Sequence, residues 1–521
     1  MLWSSRLTLL FGAWQSHTRP RVQLGDTTII GSSLQPSRLE FFGGIPFAEP
    51  PVANLRFSPP RLKHSLSPLR SFNARSYGLP CLQPYSEGDM SENCLTLNVF
   101  RPNRMDKHSS LPVMVWIYGG GFYSGASSLY DGTPLVEQSM ARGTPIIFVS
   151  LNYRLGPLGF PQGPEAVERG ALNLGLYDQW TALEWVQKNI ASFGGDPLKV
   201  TVFGESAGAL SVSYHYLNEN FCTVARAAIF QSGMGSTLPV FDAYRGTPSW
   251  TLFVNNTQSC ITASPNDAFS CLMSANSTDL RTAMNAAMAL ELFPFRPVLD
   301  GLDGILSDHP ARRLSYGAGG QIPFMTGTTL DEGVTGTAFI PKDFQRRDIS
   351  VWLNANFTPS PLGRGALKAG IQKTPSAGSP FGTGNETFGT GSGYKRASAI
   401  YGDVLFQAPR RFWSQTARSP LSADPALGVY HASDLAYLFT DVAKDGSETA
   451  WLSRAMLDYW ISFAVSLTPN DGKGTNRPHW EMYEETKRIL ELNSNSTRLI
   501  PDTYRSLAMD TTIKMSDLLS W

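Results

Sequence analysis

Val200-Thr201-Val202-Phe203-Gly204-Glu205-Ser206-Ala207-Gly208-Ala209-Leu210-Ser211-Val212 is the stretch on which the reading of this chain turns. Its first four residues are apolar or β-branched, as in a short buried strand. Its last residues are small and apolar and can continue as a helix. Between them stands Gly204-Glu205-Ser206-Ala207-Gly208. A serine in such a pentapeptide fits a tight strand-to-helix turn, because side chains at the two glycine positions would collide with the neighbouring strand and helix. The following helix turns its first N–H groups toward developing negative charge. G-x-S-x-G alone arises often by chance; in this setting it marks Ser206 as a candidate nucleophile.

Upstream lie two more strand-like runs, Pro112–Tyr118 and Pro145–Ser150, each bounded by Gly or Pro. Between the second of these and Val200 comes Asp178–Ile190, with Trp180, Leu183, Val186 and Ile190 at helical spacing. Strand, helix, strand at these distances is a βαβ unit, so the class is α/β. A second helix is expected over Thr449–Ala464, and its stripe of Leu452, Met456, Tyr459, Trp460 and Phe463 reads as a core-facing surface. The Gly-, Ser-, Thr- and Pro-rich residues 363–393 read as a long loop. No internal repeat or long linker divides the chain.

A serine hydroxyl is a weak nucleophile and needs a base, and an attacked carbonyl needs donors for its developing charge. The donors are suggested by Tyr118-Gly119-Gly120-Gly121-Phe122 at a strand end, where three glycines let backbone approach a substrate. Gly120, Gly121 and the N–H of Ala207 are assigned to an oxyanion hole. In folds with this turn the chain order is Ser, acid, His. Of seven histidines, only His431 and His479 lie in the last third. His431 follows the strand-like Leu427–Tyr430, so spacing favours it as the base; His479 reads as a surface or packing residue. For the acid, Asp331 and Glu332 follow the apolar run Ile322–Met325, and Asp300 is a third possibility. The residues alone leave that choice open.

The totals fit a globular protein, and the length leaves one large enzyme domain or two smaller ones both open. Of 521 residues, 42% are hydrophobic and 17% charged, and positive and negative side chains balance at 43 each. No global field therefore favours nucleic acid or an anionic membrane surface. No apolar stretch reaches the roughly 18–20 residues that span a bilayer. Residues 1–20 contain Arg6 and a short apolar run, a marginal signal peptide without a clear cleavage site. Four of the five cysteines fall in close pairs, Cys81 with Cys94 and Cys260 with Cys271, suited to two small disulfide loops. Cys222 is left over and is expected to be a buried thiol. Sequons begin at Asn255, Asn276, Asn356, Asn385 and Asn495. Together these favour a secreted protein.

Several further blocks carry a resemblance. They are Phe42-Gly43-Gly44-Ile45-Pro46-Phe47-Ala48, Ser91-Glu92-Asn93-Cys94-Leu95-Thr96-Leu97-Asn98-Val99, Asn152-Tyr153-Arg154-Leu155-Gly156 and Asn173-Leu174-Gly175-Leu176-Tyr177-Asp178-Gln179, in order with the Ser206 turn. The chain resembles the type-B carboxylesterase/lipase family, the group that includes cholinesterases and fungal lipases, over nearly its whole length after about residue 20. The resemblance implies an α/β-hydrolase fold, a mostly parallel central sheet flanked by helices, in a single domain over residues 21–521. Its pattern of a glutamate before glycine falls on Glu332, and its His-x-x-Asp/Glu block on His431 and Asp434. It implies the bridges Cys81–Cys94 and Cys260–Cys271, and structural ion pairs of Arg56 with Glu92 and Arg154 with Asp178. Glu205 is expected to tune local electrostatics.

The expected activity is hydrolysis of small-molecule carboxylic esters through a Ser-His-Glu triad and an acyl-enzyme, with no cofactor and no metal. Acyl transfer to an alcohol would use the same triad, and an adhesion-type protein would dispense with it. The 12 residues between Cys81 and Cys94 are polar and lack tryptophan. Cholinesterases look to carry a longer loop with a tryptophan, and family lipases a long apolar lid. A soluble ester of modest size is the expected substrate. Acyl preference and oligomeric state are not legible.

Overall fold

The strand-forming runs of the first half are buried along most of their length in the computed structural model, which describes residues 19–103, 105, 109–263, 268–319, 322–334, 343–349, 351, 391, 393–416, 430–444, 448–494 and 496–514. Residues 1–18, most of the 363–393 stretch, Leu427–Val429 and the sequons at Asn356, Asn385 and Asn495 lie outside the described residues. Asn255 and Asn276 are exposed.

Eight strands form the main sheet: β1 (Ser32–Leu34), β2 (Leu39–Pro46), β3 (Thr96–Pro102), β4 (Leu111–Ile117), β5 (Ile147–Leu151), β6 (Gly195–Glu205), β7 (Ala227–Gln231) and β8 (Phe324–Gly327). Their order is β8-β7-β6-β4-β5-β3-β2-β1. The pairings from β8 through to β5 are parallel, and those from β5 through β3 and β2 to β1 are antiparallel. This is the α/β-hydrolase arrangement, a mixed sheet flanked by helices. Parallel strands need crossovers, and the helices that make them cover the sheet, which is why β5 and β7 are buried at every residue.

Helix α1 (Leu174–Asn189) and helix α2 (Ala207–Tyr216) pack on β6, while α3 (Glu448–Ser466) packs on β4 and β6. The stripe read on α3 is buried throughout: Leu452, Met456, Tyr459, Trp460 and Phe463 all belong to the core. Among the described residues no helix is long and apolar enough to cross a membrane.

Covalent and ionic ties hold the loops to this frame. Cys81–Cys94 and Cys260–Cys271 are bonded, with Cα atoms 5.0 and 5.6 Å apart. Arg154 makes a fork of two bonds to Asp178 at 2.8 and 2.7 Å, and its backbone N–H adds a third at 2.9 Å. Arg56 grips Glu92 in the same way and donates also to the carbonyl of Leu272. Pairs this well hydrogen-bonded offset the desolvation of their charges.

Cys222 corrects an expectation. It is free and exposed, not buried. It lies in the 3-10 turn Glu219–Thr223, where Phe221 takes the one buried position. A tight turn cannot send two adjacent side chains into the same core, and the larger apolar one goes inward.

Candidate active site

Ser206 stands between the last residue of β6 and the first of α2, with φ 55° and ψ −125°. A non-glycine residue with positive φ is rare and costs about 1–3 kcal/mol, so it persists only where its surroundings impose it. Here they do. A Cβ on Gly208 would fall 2.0 Å from the carbonyl oxygen of Ile117, and one on Gly204 would lie 2.6 Å from the same oxygen. The two glycines let β6 turn sharply and α2 start directly against β4, lifting Ser206 above the sheet edge.

The acid and the base arrive on separate loops that are joined by backbone. Asp331 and Tyr430 form an isolated parallel bridge, which sets their successors Glu332 and His431 side by side. His431 Nδ1 lies 2.6 Å from Glu332 Oε2, and His431 Nε2 lies 2.7 Å from Ser206 Oγ. The other Glu332 oxygen, Oε1, accepts the Thr329 N–H at 2.7 Å. The structure thus brings together Ser206, Glu332 and His431. It does not bring in the other candidates for acid and base. Asp300 accepts the N–H groups of Ile305 and Leu306 and closes its own loop. His479 is exposed.

A second carboxylate reaches the same imidazole. Glu205 Oε1 lies 3.3 Å from His431 Nε2 but makes no hydrogen bond. Burial pushes the Glu205 carboxyl up to about 8, opposed by His431 and reinforced by the carboxylates of Asp434 and Glu332. For His431 burial acts downward, but the charges of Glu205 and Glu332 outweigh it and raise its pKa. Asp434 is held by Gln231 at 2.6 Å, and Gln231 in turn accepts the Trp460 indole N–H at 2.9 Å.

The glycine loop lies beside the nucleophile. A Cβ on Gly119 would sit 2.9 Å from the Ser206 Cβ. Gly120 has φ 99° and Gly121 φ 63°, a path an L-side chain would resist. The Gly120 carbonyl accepts the N–H groups of Tyr123 and Ser124 at 3.2 and 3.0 Å, which turns the loop back on itself. Among the described residues, the N–H groups of Gly120, Gly121 and Ala207 donate to no protein acceptor.

This frame recurs in known proteins. The model of the carboxylesterase family matches residues 18–360 and 392–512. The chain belongs to the carboxylesterase family. It is a carboxylic ester hydrolase. It is similar to lipase 2 of Geotrichum candidum, with 35% identity covering 93% of this chain and 94% of that protein. It is also similar to a secreted triacylglycerol lipase of Gibberella zeae, at 33% identity over 92% of this chain and 87% of the other. Among solved structures it is similar to Aspergillus niger EstA, with a TM-score of 0.82 and 26% identity, covering 96% of this chain and 99% of that one.

Three neighbours of this carboxylesterase site escaped the sequence. Phe406 sets its ring 4.9 Å from the His431 ring. Gln407 accepts from Thr328 Oγ1 at 3.0 Å and donates to the Thr329 carbonyl at 2.8 Å, bracing the acid loop. Both lie in the π-helical turn Asp403–Gln407, and such turns tend to occur at functional sites. The third is Tyr153, whose hydroxyl donates to the Tyr118 carbonyl at 2.9 Å and whose ring stacks on Tyr118. Only the Asn152-Tyr153-Arg154 block marked it, and that block was read through its arginine.

Proposed function

We propose that this protein hydrolyses carboxylic esters through an acyl-enzyme on Ser206, with His431 as general base and acid and Glu332 as its orienting carboxylate. The observation that carries the reading is the unbroken line of short contacts: Ser206 Oγ to His431 Nε2 at 2.7 Å, His431 Nδ1 to Glu332 Oε2 at 2.6 Å. As Oγ attacks the ester carbonyl, Nε2 takes its proton. Glu332 fixes the tautomer with Nδ1 protonated and stabilises the imidazolium. The imidazolium then returns the proton to the leaving alcohol, and a water activated by the same histidine releases the acid.

The negative oxygen of each tetrahedral intermediate is received by the N–H groups of Gly120, Gly121 and Ala207. Their lack of protein acceptors and their place beside Ser206 support this role. One such donor is typically worth about 2.7–4 kcal/mol of transition-state stabilisation.

The substrate is read as a soluble ester of modest size, supported by the short polar loop between Cys81 and Cys94. Secretion, with residues 1–20 as signal peptide and 21–521 as one domain, is supported by the two disulfides and by the secreted lipase it is similar to.

Ser206→Ala is the direct test. Turnover of p-nitrophenyl butyrate is expected to fall by at least about 10⁴-fold, with the folded state retained by circular dichroism. A fluorophosphonate probe is expected to label the wild type at Ser206 and to leave the variant unlabelled. Undiminished turnover in the variant would sink the assignment.

A further inference from the structure

Several buried arginines among the described residues are tightly paired. Arg154 meets Asp178 at 2.7 Å, and Arg410 and Arg411 both meet Asp502 at 2.8 Å. Arg296 is different. Its side chain is 9% exposed, yet its nearest carboxylate is Glu291 at 3.5 Å. Arg245 shares that same Glu291 oxygen from 3.9 Å, and its buried Nε has no hydrogen-bond partner. The two guanidinium groups lie 5.1 and 4.5 Å from the centroid of the Phe241 ring. Two cations share one carboxylate at the outer range of an ion pair, so each positive charge is only partly compensated, that of Arg296 in buried surroundings. A guanidinium does not shed that charge by losing its proton.

Two chain segments that start at the active site run to this cluster. Gly233 packs against the nucleophile, where an added Cβ would come within 2.5 Å of the Ser206 carbonyl oxygen, and its chain continues to Phe241. Phe293 packs against the glycine loop, where a Cβ on Gly121 would meet its ring at 2.8 Å. Arg296 follows three residues later, a separation that cannot exceed roughly 11 Å of extended chain. Phe241 and Leu299 then tie the two segments together, the Leu299 N–H donating to the Phe241 carbonyl at 2.9 Å. The hydroxyl groups of Tyr214 and Tyr401 are also within electrostatic reach of Arg296. Two chain segments thus lead from the catalytic residues to the cluster.

We propose that Arg296 and Arg245 form an anion subsite that selects esters whose far end carries a carboxylate. A ligand carboxylate would be a second anion for the two guanidinium groups that share Glu291. The planar fork of Arg296 suits a carboxylate, and the Phe241 ring beside both cations gives an apolar wall for the methylene chain leading to it. The carboxylate would displace the loose contact to Glu291 and complete the hydrogen bonding that Arg245 Nε lacks.

This inference rests on the serine hydrolase reading, and the test separates the two. Two substrate series are compared with uncharged isosteres: p-nitrophenyl hydrogen esters of linear dicarboxylic acids of increasing length, with the carboxylate on the acyl side, and ω-acetoxyalkanoates, with it on the alcohol side. The measured quantity is the ratio of kcat/KM for the charged ester to that for its isostere. Arg296→Met is expected to lower the best ratio by about tenfold or more, the usual scale of a lost charge-assisted hydrogen bond. Glu291→Gln, which removes the competing carboxylate, is expected to raise it about threefold. Should Arg296→Met fail to fold, Arg245→Gln is expected to lower the ratio by a similar threefold. Ratios that stay within twofold of wild type in Glu291→Gln and in the folded arginine variant, in both series, overturn the subsite. Loss of turnover of the uncharged isosteres by wild-type protein would instead strike at the hydrolase reading.

Discussion

Two glutamates approach one imidazole from different parts of the chain, and their surroundings make them opposites. Glu332, on the loop after β8, spends one oxygen on His431 Nδ1 and the other on the Thr329 N–H, so its negative charge is solvated by the protein. Glu205, at the end of β6, is as deeply buried but has no donor for Oε1, and its carboxyl is pushed up to about 8. The same side chain is thus fully hydrogen-bonded in one place and, in the other, short of a donor with its carboxyl pushed up by burial. Hydrogen-bond donors, more than distance to the histidine, decide which glutamate can orient the base.

The strongest attempt to break that contrast is Glu332→Gln. It preserves shape and the bond from Thr329, but its amide opposes the Nδ1–H tautomer, so kcat is expected to fall by about 10⁴-fold in steady-state assays. A loss of less than tenfold would mean that Glu332 is not the partner that matters. Next comes Gln407→Met, which removes both bonds bracing the acid loop. It is expected to cost about 1–3 kcal/mol of stability in denaturant titrations and to lower kcat severalfold with KM little changed.

The smallest effect belongs to Glu205→Gln. Only the neutral imidazole accepts the Ser206 proton, and a raised His431 pKa keeps it charged to higher pH. Removing one of the charges that raise it should move the acid limb of the kcat/KM–pH profile to lower pH. The displacement is expected to be small, because Glu205 is itself mostly neutral below about 8. A profile moved to higher pH, or activity lost as completely as in Glu332→Gln, would erase the distinction between the two carboxylates.

How far the sequence disclosed these features follows from how local their causes are. The Ser206 turn was legible because its steric demands fall within five consecutive residues, and β4, β5 and β6 because burial on both faces leaves continuous apolar runs. His431 could be reached through chain order. Glu332 could not be separated from Asp331 by residue type, since which of two adjacent carboxylates faces inward depends on the bridge between Asp331 and Tyr430; family resemblance was needed. The bracing by Gln407 and the ring of Phe406 come from a π-helical turn about 75 residues along the chain from Glu332, with no periodic pattern to announce it. Cys222 was misread because composition alone does not show that Phe221 claims the inward position.

The Asp331–Tyr430 bridge has a consequence for how this catalyst can be altered. It joins acid and base through main chain, without involving β6 or the serine turn. The histidine–glutamate pair is therefore a module that should outlast any change made at position 206. A cysteine, or a residue chosen to trap a bound ester, could be installed there against a proton relay already in place.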